Sequence, residues 1–267
     1  MKVMVTRPAR EAHDWVHRLQ EAGLVASSLP LIDIGGPADV HRVTQAWEQL
    51  PSFNAVMFVS GNAVDYFFAL KPASAHTHCA QSAIKIRALV TGPGSHAALL
   101  RAGVDRSMID APDAGQGQFD SEALWAVMGH RVAPGYRVLV VRGSTFMAEP
   151  SDGDAAGVGR DWFSKQVRAA GGGVEFVVSY RRRCPALTPE VHASIQSAVD
   201  GNAVWLFSSS EAIANLVALA PQQHWNAHRA VCTHTRIAQA ARAAGFGVVC
   251  ESRPILAAVV ASIESLQ

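Results

Sequence analysis

Short apolar runs alternate with amphipathic helical patterns along most of the chain. The clearest case is residues 55–68, where an apolar run ends at Ser60, a polar turn follows, and a helical pattern begins. This pattern predicts a buried parallel strand that leads directly into a helix. The first N–H groups of a helix lack intrahelical partners, and the helix dipole adds partial positive charge there. The turn formed by Ser60, Gly61, Asn62 and Ala63 is therefore predicted to bind an anion.

The same alternation extends over the rest of the sequence and indicates an α/β fold, with a parallel sheet and helices on both faces. Two further segments, 24–34 and 174–183, are predicted to be extended, and Pro30 favours an edge or a connector for the first. The predicted strands lie at 3–7, 55–60, 86–91, 107–111, 137–142, 203–208, 229–233 and 247–251.

Three stretches of the chain occur twice in similar form. Any two units of strand, turn and helix look alike, but the shared order and the shared residues at the strand ends favour a duplicated domain. The extended segments 24–34 and 174–183 take equivalent places in the repeat and are predicted to cross between two lobes. The matched pairs are 3–8 with 138–143, 56–60 with 204–208, and 89–103 with 231–245.

The predicted strands end in small polar or basic side chains. Ligands of open α/β sheets bind at the carboxyl ends of the strands. A cleft lined with N–H groups, hydroxyls and arginines suits a small molecule that carries several negative charges. The strand-end residues are Thr6, Arg7, Ser60, Asn62, Thr91, Ser95, Arg142, Ser208, Ser209, Thr235 and Arg236.

Composition narrows the partners of the protein. The 267 residues carry a net charge of +1, so no global field attracts nucleic acid or an anionic membrane. No apolar run approaches the length of a membrane span. The four cysteines are scattered, which argues against a disulfide framework or a structural zinc site and suggests the cytoplasm.

Motifs for common cofactors are absent from the sequence. The turn at 92–95, Gly-Pro-Gly-Ser, lacks the third glycine of a dinucleotide fingerprint and the Gly-Lys-Ser/Thr of a phosphate loop. It is either a tight turn or a backbone contact for an anion. His13 and His17 share a helix face, but without a third ligand a metal site is poorly supported. No serine lies in a Gly-x-Ser-x-Gly elbow, so a hydrolase is unsupported.

Three side chains keep two interpretations at this stage. Arg7 and Arg142 end equivalent strands, so they form either structural ion pairs or a clamp for an anion. Tyr180 lies on a predicted connector and is either a half-buried packing residue or a proton donor.

Taken together, these motifs resemble the uroporphyrinogen-III synthase family over nearly the whole chain. The resemblance rests on the order of the motifs, each of which is weak alone. The motifs are Val-Thr-Arg-Pro at 5–8, Leu-Pro-Leu-Ile at 29–32, Ser-x-Asn-Ala-Val at 60–64, Gly-x-Gly-Ser at 92–95, Ser-Glu at 121–122, Val-Leu-Val-Val-Arg-Gly at 138–143, Tyr-Arg-Arg at 180–182, the three serines at 208–210, Arg-Ile-Ala at 236–238 and Ala-Ala-Gly-Phe at 243–246.

The resemblance implies two similar flavodoxin-like lobes joined by a two-stranded connector. One lobe, 1–34 plus 184–267, holds both chain ends, and the other, 35–173, is inserted. The connector strands are then about 24–34 and 174–183. The Gly- and Asp-rich segment 149–159 is longer than the usual link after the Arg-Gly strand end and is expected to be a flap or disordered.

The resemblance also implies an activity: cyclisation of hydroxymethylbilane, a linear tetrapyrrole, with inversion of ring D and loss of water through azafulvene and spiro intermediates. The enzyme would be a cytoplasmic monomer without metal or organic cofactor. Tyr180 matches the family's connector tyrosine and would be a partial general acid. The implied substrate-binding residues are Arg7, Ser60, Gly61, Asn62, Ala63, Val64, Ser95, Arg142, Gly143, Ser208, Ser209, Ser210, Thr235 and Arg236.

Two alternatives remain open from the residues alone. Fold by itself also permits a two-lobed binding or regulatory protein for a small, multiply anionic ligand. A nucleotide-dependent transferase is less well supported, because a phosphate loop and clustered acidic metal ligands are both missing.

Two departures from the family pattern matter for the site. Ser95 stands where threonine is common, and the turn at 233–236 is less Gly- or Ser-like, which makes a side-chain role there doubtful.

Overall fold

The computed structural model of the protein describes residues 2–73, 84–112, 119–145 and 160–266. The predicted flap at 149–159 lies outside the described residues. Contacts divide the chain into two compact units. Unit 1 is Met1–Ile34 with Arg183–Gln267, and unit 2 is Gly35–Arg182.

Strands and helices alternate through the described residues, as the periodicity predicts. The strands are β1 Lys2–Val5, β2 Val25–Ser28, β3 Asp33–Gly35, β4 Ala55–Phe58, β5 Arg87–Val90, β6 Ile109–Asp110, β7 Arg137–Thr145, β8 Gly173–Arg183, β9 Val204–Phe207, β10 Arg229–Cys232 and β11 Val248–Glu251. The helices are α1 Ala9–Glu21, α2 Val40–Gln49, α3 Gly61–Ala69, α4 Pro93–Arg101, α5 Ser121–Met128, α6 Arg160–Ala169, α7 Pro189–Asp200, α8 Ser210–Leu219, α9 Thr235–Ala243 and α10 Leu256–Glu264.

The sheet of unit 1 has the strand order β11-β10-β9-β1-β2. Each of its strand pairs is parallel. Numbered within the unit, this is the order 2-1-3-4-5 of flavodoxin-like folds. Side chains from α7, α8 and α9 pack on one face, around Trp205 and Phe207. Side chains from α1 and α10 pack on the other, around Val3 and Val5.

The second sheet repeats this arrangement with its chain order permuted. Its order is β3-β8-β7-β4-β5-β6, and the pairs from β8 to β6 are parallel. Strands β7 and β8 therefore hold the places of β1 and β2, and β4, β5 and β6 hold those of β9, β10 and β11. The predicted duplication and the predicted α/β class are confirmed.

Sequence matching misaligned one pair of repeated strands by a residue. It equated 56–60 with 204–208 and so Ser60 with Ser208. In the structure β4 ends at Phe58 and β9 at Phe207, and the residue capping the next helix lies two positions later, at Ser60 and Ser209. Ser209, not Ser208, is the equivalent of Ser60. The error arose because several serines follow β9, and sequence matching paired Ser60 with the first of them.

The segment 24–34 is extended, as predicted, and it contains two short strands at sheet edges, β2 and β3, separated at Pro30, which has no N–H to donate to a ladder. One other predicted boundary was wrong. The strand predicted to stop at residue 142 continues to Thr145, because it pairs along its length with the long strand β8. Composition suggested a loop from residue 143, but strand pairing overrides local propensity here.

Candidate functional site

Each sheet has one place where the chain reverses its direction of winding. In the order 2-1-3-4-5 it lies between the first and third strands, and ligands of such folds bind at the carboxyl ends there. In unit 1 this switch point lies between β1 and β9, which pair at Val5 and Leu206. In unit 2 it lies between β7 and β4, which pair at Val141 and Phe58. Most of the sequence-predicted site residues follow these four strands.

The switch point of unit 2 contains the N-terminus of α3. Ser60 has extended backbone geometry and caps the helix, because its Oγ accepts a hydrogen bond of 3.1 Å from the Ala63 N–H. The Val64 N–H donates to the Ser60 carbonyl at 3.3 Å. Among the described residues, nothing accepts from the N–H groups of Gly61 and Asn62. These two donors and the helix dipole make the turn suitable for an anion.

Tyr180 lies against this turn. Its side chain is buried, at 3% exposure, and its hydroxyl is 3.0 Å from Ser60 Oγ, with either oxygen able to donate. Its ring stacks on Tyr66 of α3, with centroids 6.1 Å apart and planes inclined by 25°. The neighbouring Ser179 donates to the Ala63 carbonyl at 3.2 Å. Strand β8 and helix α3 are thus joined by side chains around Tyr180.

A register shift in the sheet places Tyr180 at this position. Arg142 pairs with Val178, but the next residue, Gly143, pairs with Tyr180, so Ser179 is an extra residue on β8. A Cβ on Gly143 would lie 2.6 Å from Cε1 of Tyr180 and closer still to Cζ. Glycine is required here because the tyrosine ring occupies the space of a side chain.

Arg142 precedes this glycine and is half-buried. Its guanidinium lies 4.5 Å from the centre of the Phe176 ring. Within the described residues it has no carboxylate partner, so its charge is available to a ligand. Ser95 lies in the first turn of α4 and is buried, at 7% exposure. The two helices approach closely, since a Cβ on Gly61 would lie 3.6 Å from the Gly94 carbonyl.

The switch point of unit 1 is built from the corresponding elements. Ser209 caps α8 and accepts from the Glu211 N–H at 3.2 Å. The neighbouring Ser208 and Ser210 are partly buried, and Ser210 Oγ has no hydrogen-bond partner in the described part of the chain. Thr6 is buried and donates its hydroxyl to the Leu206 carbonyl at 2.8 Å, which fastens the end of β1 to β9.

Arg7 is more constrained than Arg142. Its Nη1 lies 3.2 Å from Oε2 of Glu11, and its guanidinium lies 4.7 Å from the centre of the Trp15 ring. Burial lowers the pKa of Arg7, and the charge of Glu11 opposes that effect. Its Nε is buried without a hydrogen-bond partner among the described residues. Arg7 is therefore largely part of the packing of α1.

Thr235 and Arg236 are exposed at the start of α9. The hydroxyl of Thr235 donates to Oε2 of Glu251 at 2.9 Å. The Arg236 N–H donates to Nδ1 of His234, which caps the helix at 3.0 Å. These contacts occupy the Thr235 hydroxyl and the Arg236 N–H at the start of the helix. The Arg236 side chain is exposed to solvent.

The described part of the chain contains no helix long and apolar enough to cross a membrane. The same residues contain no group of three or more histidine, cysteine, aspartate or glutamate side chains that could hold a metal ion.

Comparison with protein-family models gives one match, over residues 13–261, to the model described as "HEM4: Uroporphyrinogen-III synthase HemD". The chain belongs to the uroporphyrinogen-III synthase family. This family consists of cyclising lyases that need no cofactor, and it gives the chain a role in the biosynthesis of haem tetrapyrroles. A comparison with curated protein sequences found no match.

Solved structures of uroporphyrinogen-III synthases share the fold. The uroporphyrinogen-III synthetase from Helicobacter pylori is 15% identical with a TM-score of 0.60, and the match covers 100% of both chains. A mutant enzyme from the extremely thermophilic bacterium Thermus thermophilus is 14% identical with a TM-score of 0.55, over 100% of this chain and 97% of that one. At these identities the likeness shows the fold alone. The predicted family and fold are confirmed.

The structure brings only some of the sequence-predicted site residues together. Ser60 and Gly143 both lie against Tyr180 in unit 2, whereas Thr235 and Arg236 lie at an exposed helix start in unit 1. Sequence reasoning missed Tyr66 and Ser179. A signal for Tyr66 was present: it lies six residues after Ser60 in the same helical pattern. Ser179 could not be found, because its role depends on a register shift.

Proposed function

We propose that this synthase-family chain converts hydroxymethylbilane into uroporphyrinogen III, with inversion of ring D and loss of water. The observation that carries the proposal is the position of Tyr180. Its hydroxyl is 3.0 Å from the cap of α3, beside the unpaired N–H groups of Gly61 and Asn62 in the described structure. An acid and an anion site at the same strand ends suit a substrate with a labile hydroxymethyl group and carboxylate side chains.

In the proposed reaction Tyr180 acts as a partial general acid. It donates its proton to the hydroxymethyl oxygen, the C–O bond breaks, and water leaves while the pyrrole nitrogen supplies the electron pair. The resulting azafulvene is attacked by the substituted α-carbon of ring D, which forms a spiro intermediate. The bond from this carbon to the methylene bridge of ring C then breaks, and the released methylene carbon, now part of an azafulvene on ring C, bonds to the other α-carbon of ring D. The proton lost as ring D regains aromaticity balances the one that Tyr180 gave. No protein nucleophile is needed.

We propose that the remaining contacts bind the carboxylate arms of the substrate. Backbone N–H groups at helix starts and the Arg142 guanidinium provide donors of the right charge. Hydroxymethylbilane also cyclises unaided, without inversion of ring D. The proposed task of these contacts is therefore to hold the linear substrate in a fold from which the inverted product forms. The proposed contacts are Arg7, Ser60, Gly61, Asn62, Ala63, Val64, Ser95, Arg142, Gly143, Ser208, Ser209, Ser210, Thr235 and Arg236.

Purified protein supplied with fresh hydroxymethylbilane tests the proposal. The oxidised products are separated by chromatography into isomers I and III. We expect isomer III in excess, at a rate proportional to the protein concentration. Formation of isomer I alone at the spontaneous rate would show that the proposed reaction is wrong, and would favour a binding or regulatory protein. Equilibrium binding of a reduced linear tetrapyrrole would then test that second function.

We further propose a cytoplasmic monomer that binds neither membrane nor nucleic acid. The free thiols of Cys184, Cys232 and Cys250 support a reducing compartment. The net charge of the protein is only +1, which favours an enzyme acting on a small molecule over a nucleic-acid-binding protein. Sedimentation at several protein concentrations tests the oligomeric state, and a mass that rises with concentration would contradict it.

We also propose that 24–34 and 174–183 connect two discontinuous lobes, 1–34 with 184–267 and 35–173. The chain passes between the two units at Ile34 and returns at Arg183, which supports this assignment. Protease sites inserted at both crossings, after Gly36 and after Cys184, test it. Cleavage at both should release segment 37–184 as a folded fragment while 1–36 and 185–267 stay associated, and mass spectrometry with circular dichroism of the separated fragments measures this. Loss of helical content in both products would contradict the assignment.

A further inference from the structure

Helix α3 supplies two side chains to the phenol of Tyr180. Ser60, its capping residue, approaches the phenol oxygen at 3.0 Å. Tyr66, in the middle of the helix, stacks on the ring at 6.1 Å between centroids. The tyrosine is buried, and Gly143 on β7 leaves the space that its ring fills. The orientation of this one phenol is therefore set by a single helix and a single glycine.

The hydrogen bonds of Ser60 show where its hydroxyl is engaged. A serine hydroxyl has one donor and two acceptor sites. One acceptor site binds the Ala63 N–H at 3.1 Å. The O–H and the second lone pair remain, and the nearest partner for them is the Tyr180 hydroxyl at 3.0 Å. When Ser60 donates to the phenol oxygen, the phenol keeps its own proton for another acceptor.

We infer that Ser60 and Tyr66 are positioning residues for Tyr180, and that the Ser60 hydroxyl acts on this tyrosine rather than on the substrate. The inference rests on the proposed function, in which Tyr180 is the proton donor. Ser60 fixes the phenol oxygen, and Tyr66 fixes the plane of the ring. The turn still offers its backbone N–H groups to the substrate, so the Ser60 side chain and the backbone of the turn have separate tasks.

The equivalent helix of unit 1 supports this division of tasks. Ser209 caps α8 as Ser60 caps α3, and its hydroxyl accepts from the Glu211 N–H without contacting a tyrosine in the described structure. The residue equivalent to Tyr66 is Asn215, whose amide donates to the Leu31 carbonyl at 2.7 Å. Both units thus have a capping serine on this helix, and in unit 1 the helix contacts the segment that follows β2. In unit 2, by contrast, the capping residue Ser60 and the helix residue Tyr66 both contact the side chain of Tyr180.

A double-mutant cycle separates the two roles of Ser60. The variants are Ser60→Ala, Tyr180→Phe and the two together, and the measurements are kcat, KM and the fraction of isomer III. We expect Ser60→Ala to lower kcat on the order of tenfold with KM within about twofold, the size expected for one lost hydrogen bond. In the Tyr180→Phe background the same change should lower kcat less than about twofold. Equal losses in both backgrounds would overturn the inference, because Ser60 would then act independently of Tyr180.

The ring of Tyr66 is tested by a conservative and a disruptive substitution. Tyr66→Phe keeps the stacked ring, and we expect kcat and the isomer ratio to stay within about twofold of the parent. Tyr66→Leu removes the ring, and we expect a lower kcat with a larger share of isomer I. A Tyr66→Leu variant with the parental isomer ratio would contradict the positioning role.

Loss of a helix cap needs its own control. Asp120 caps α5 in the same unit and accepts from the Ala123 N–H at 2.8 Å, without a tyrosine. Asp120→Ala should lower the urea midpoint of unfolding by an amount similar to that of Ser60→Ala in the Tyr180→Phe background, where the cap alone is lost, while kcat is unchanged. If Asp120→Ala reduced kcat as much as Ser60→Ala, the effect would be that of a weakened helix, and the inference would fail.

The contact itself is measurable without turnover. The urea midpoints of Ser60→Ala, Tyr180→Phe and the double variant should be non-additive if the two hydroxyls interact. Should the parent protein produce only isomer I, the proposed function fails, whereas this coupling would still be observed. Additive midpoints with normal isomer III production would instead remove the Ser60–Tyr180 interaction and leave the proposed function intact.

Discussion

The two switch points have the same strand order but different side chains. In unit 2, Ser60 and Tyr66 of one helix contact a buried tyrosine on the neighbouring long strand. In unit 1, the segment after β2 is apolar, and Leu31 and Ile32 are buried there. Both units have a serine-capped helix at this place: α3 after β4 in unit 2, and α8 after β9 in unit 1. Under the proposed function, both helix starts are expected to bind anionic groups, whereas only the described structure of unit 2 places a tyrosine hydroxyl beside the capping serine.

The arginines differ in the same sense. Arg7 of unit 1 is held by Glu11 and lies over Trp15, whereas Arg142 of unit 2 has no carboxylate partner in the described structure. A guanidinium whose charge is already compensated contributes less to ligand binding than an uncompensated one. Unit 2 is therefore expected to carry more of the chemistry, and unit 1 more of the scaffold.

The largest expected effect comes from filling the space that Tyr180 occupies. Gly143→Ala would place a methyl group 2.6 Å from Cε1 of the tyrosine, which must then move away from Ser60. We expect the formation of isomer III to fall on the order of 100-fold, as for loss of a general acid. Product chromatography measures it. Gly173→Ala, on the partner strand with 3.8 Å of clearance, is the matched control and should retain activity. Full activity of Gly143→Ala would show that the position of Tyr180 is unimportant.

The two arginines give the next effect. Arg142→Ala should raise KM about tenfold, which corresponds to about 1.4 kcal/mol of binding free energy. Arg7→Ala should raise KM less and lower the free energy of unfolding by roughly 0.5–1 kcal/mol, because it loses its contact with Trp15. Steady-state kinetics and urea unfolding separate the two outcomes. A larger KM effect at Arg7 would reverse the proposed difference between the units.

Sequence reasoning reached the family, the fold class and many of the strand-end residues because these depend on local patterns. Residues 55–68 show a strand, a capping serine and a helix within one short window, and all three are present in the structure. The contact between Ser60 and Tyr180 joins residues 120 positions apart, and it depends on the extra residue Ser179. Register and long-range packing of this kind are not encoded in any short window, so neither the Tyr66 stack nor the exact equivalence of Ser60 and Ser209 was predicted.

Acid stability offers a third contrast between the units. In unit 2, Asp110 is bound by Arg87 and by Arg131, the latter at 2.9 Å. Burial alone would raise the pKa of Asp110, but the hydrogen bonds and charges of the two arginines outweigh it and hold this pKa below the ordinary 3.8. The stabilisation is present above that ordinary value and is lost as the pH falls through the lowered one.

The variant Asp110→Asn keeps the shape of the side chain and removes its charge. We expect it to lower the free energy of unfolding by about 1 kcal/mol at neutral pH, a reduced figure because both arginines are partly exposed. The acid-induced loss below pH 3.8 should become smaller in unit 2. Urea unfolding at neutral pH measures the change in free energy of unfolding, and hydrogen exchange in unit 2 at decreasing pH measures the acid-induced loss. A variant with parental stability at neutral pH and the parental acid transition would exclude Asp110 as the cause.

The smallest effect is expected from His228 in unit 1. It is buried beside Trp225, and its Nε2 lies 3.3 Å from Nε2 of Gln223. Burial lowers its pKa below the ordinary 6.5. The unfolded chain therefore binds a proton more readily than the folded one, so stability is lost as the pH falls from neutrality through 6.5. At these pH values Asp110 stays ionised. As the pH falls, unit 1 should therefore lose stability before unit 2 does.

Replacement of this histidine tests the order of the two transitions. His228→Phe keeps an aromatic ring against Trp225 but cannot bind a proton, so hydrogen exchange in unit 1 should lose its pH dependence between about pH 5 and 8 after correction for intrinsic rates. His192, which is exposed on α7, is the control, and His192→Gln should retain the parental slope. If the slope persists in His228→Phe, another group drives it. The comparison would then hold for the chemistry of the two units but not for their acid sensitivity.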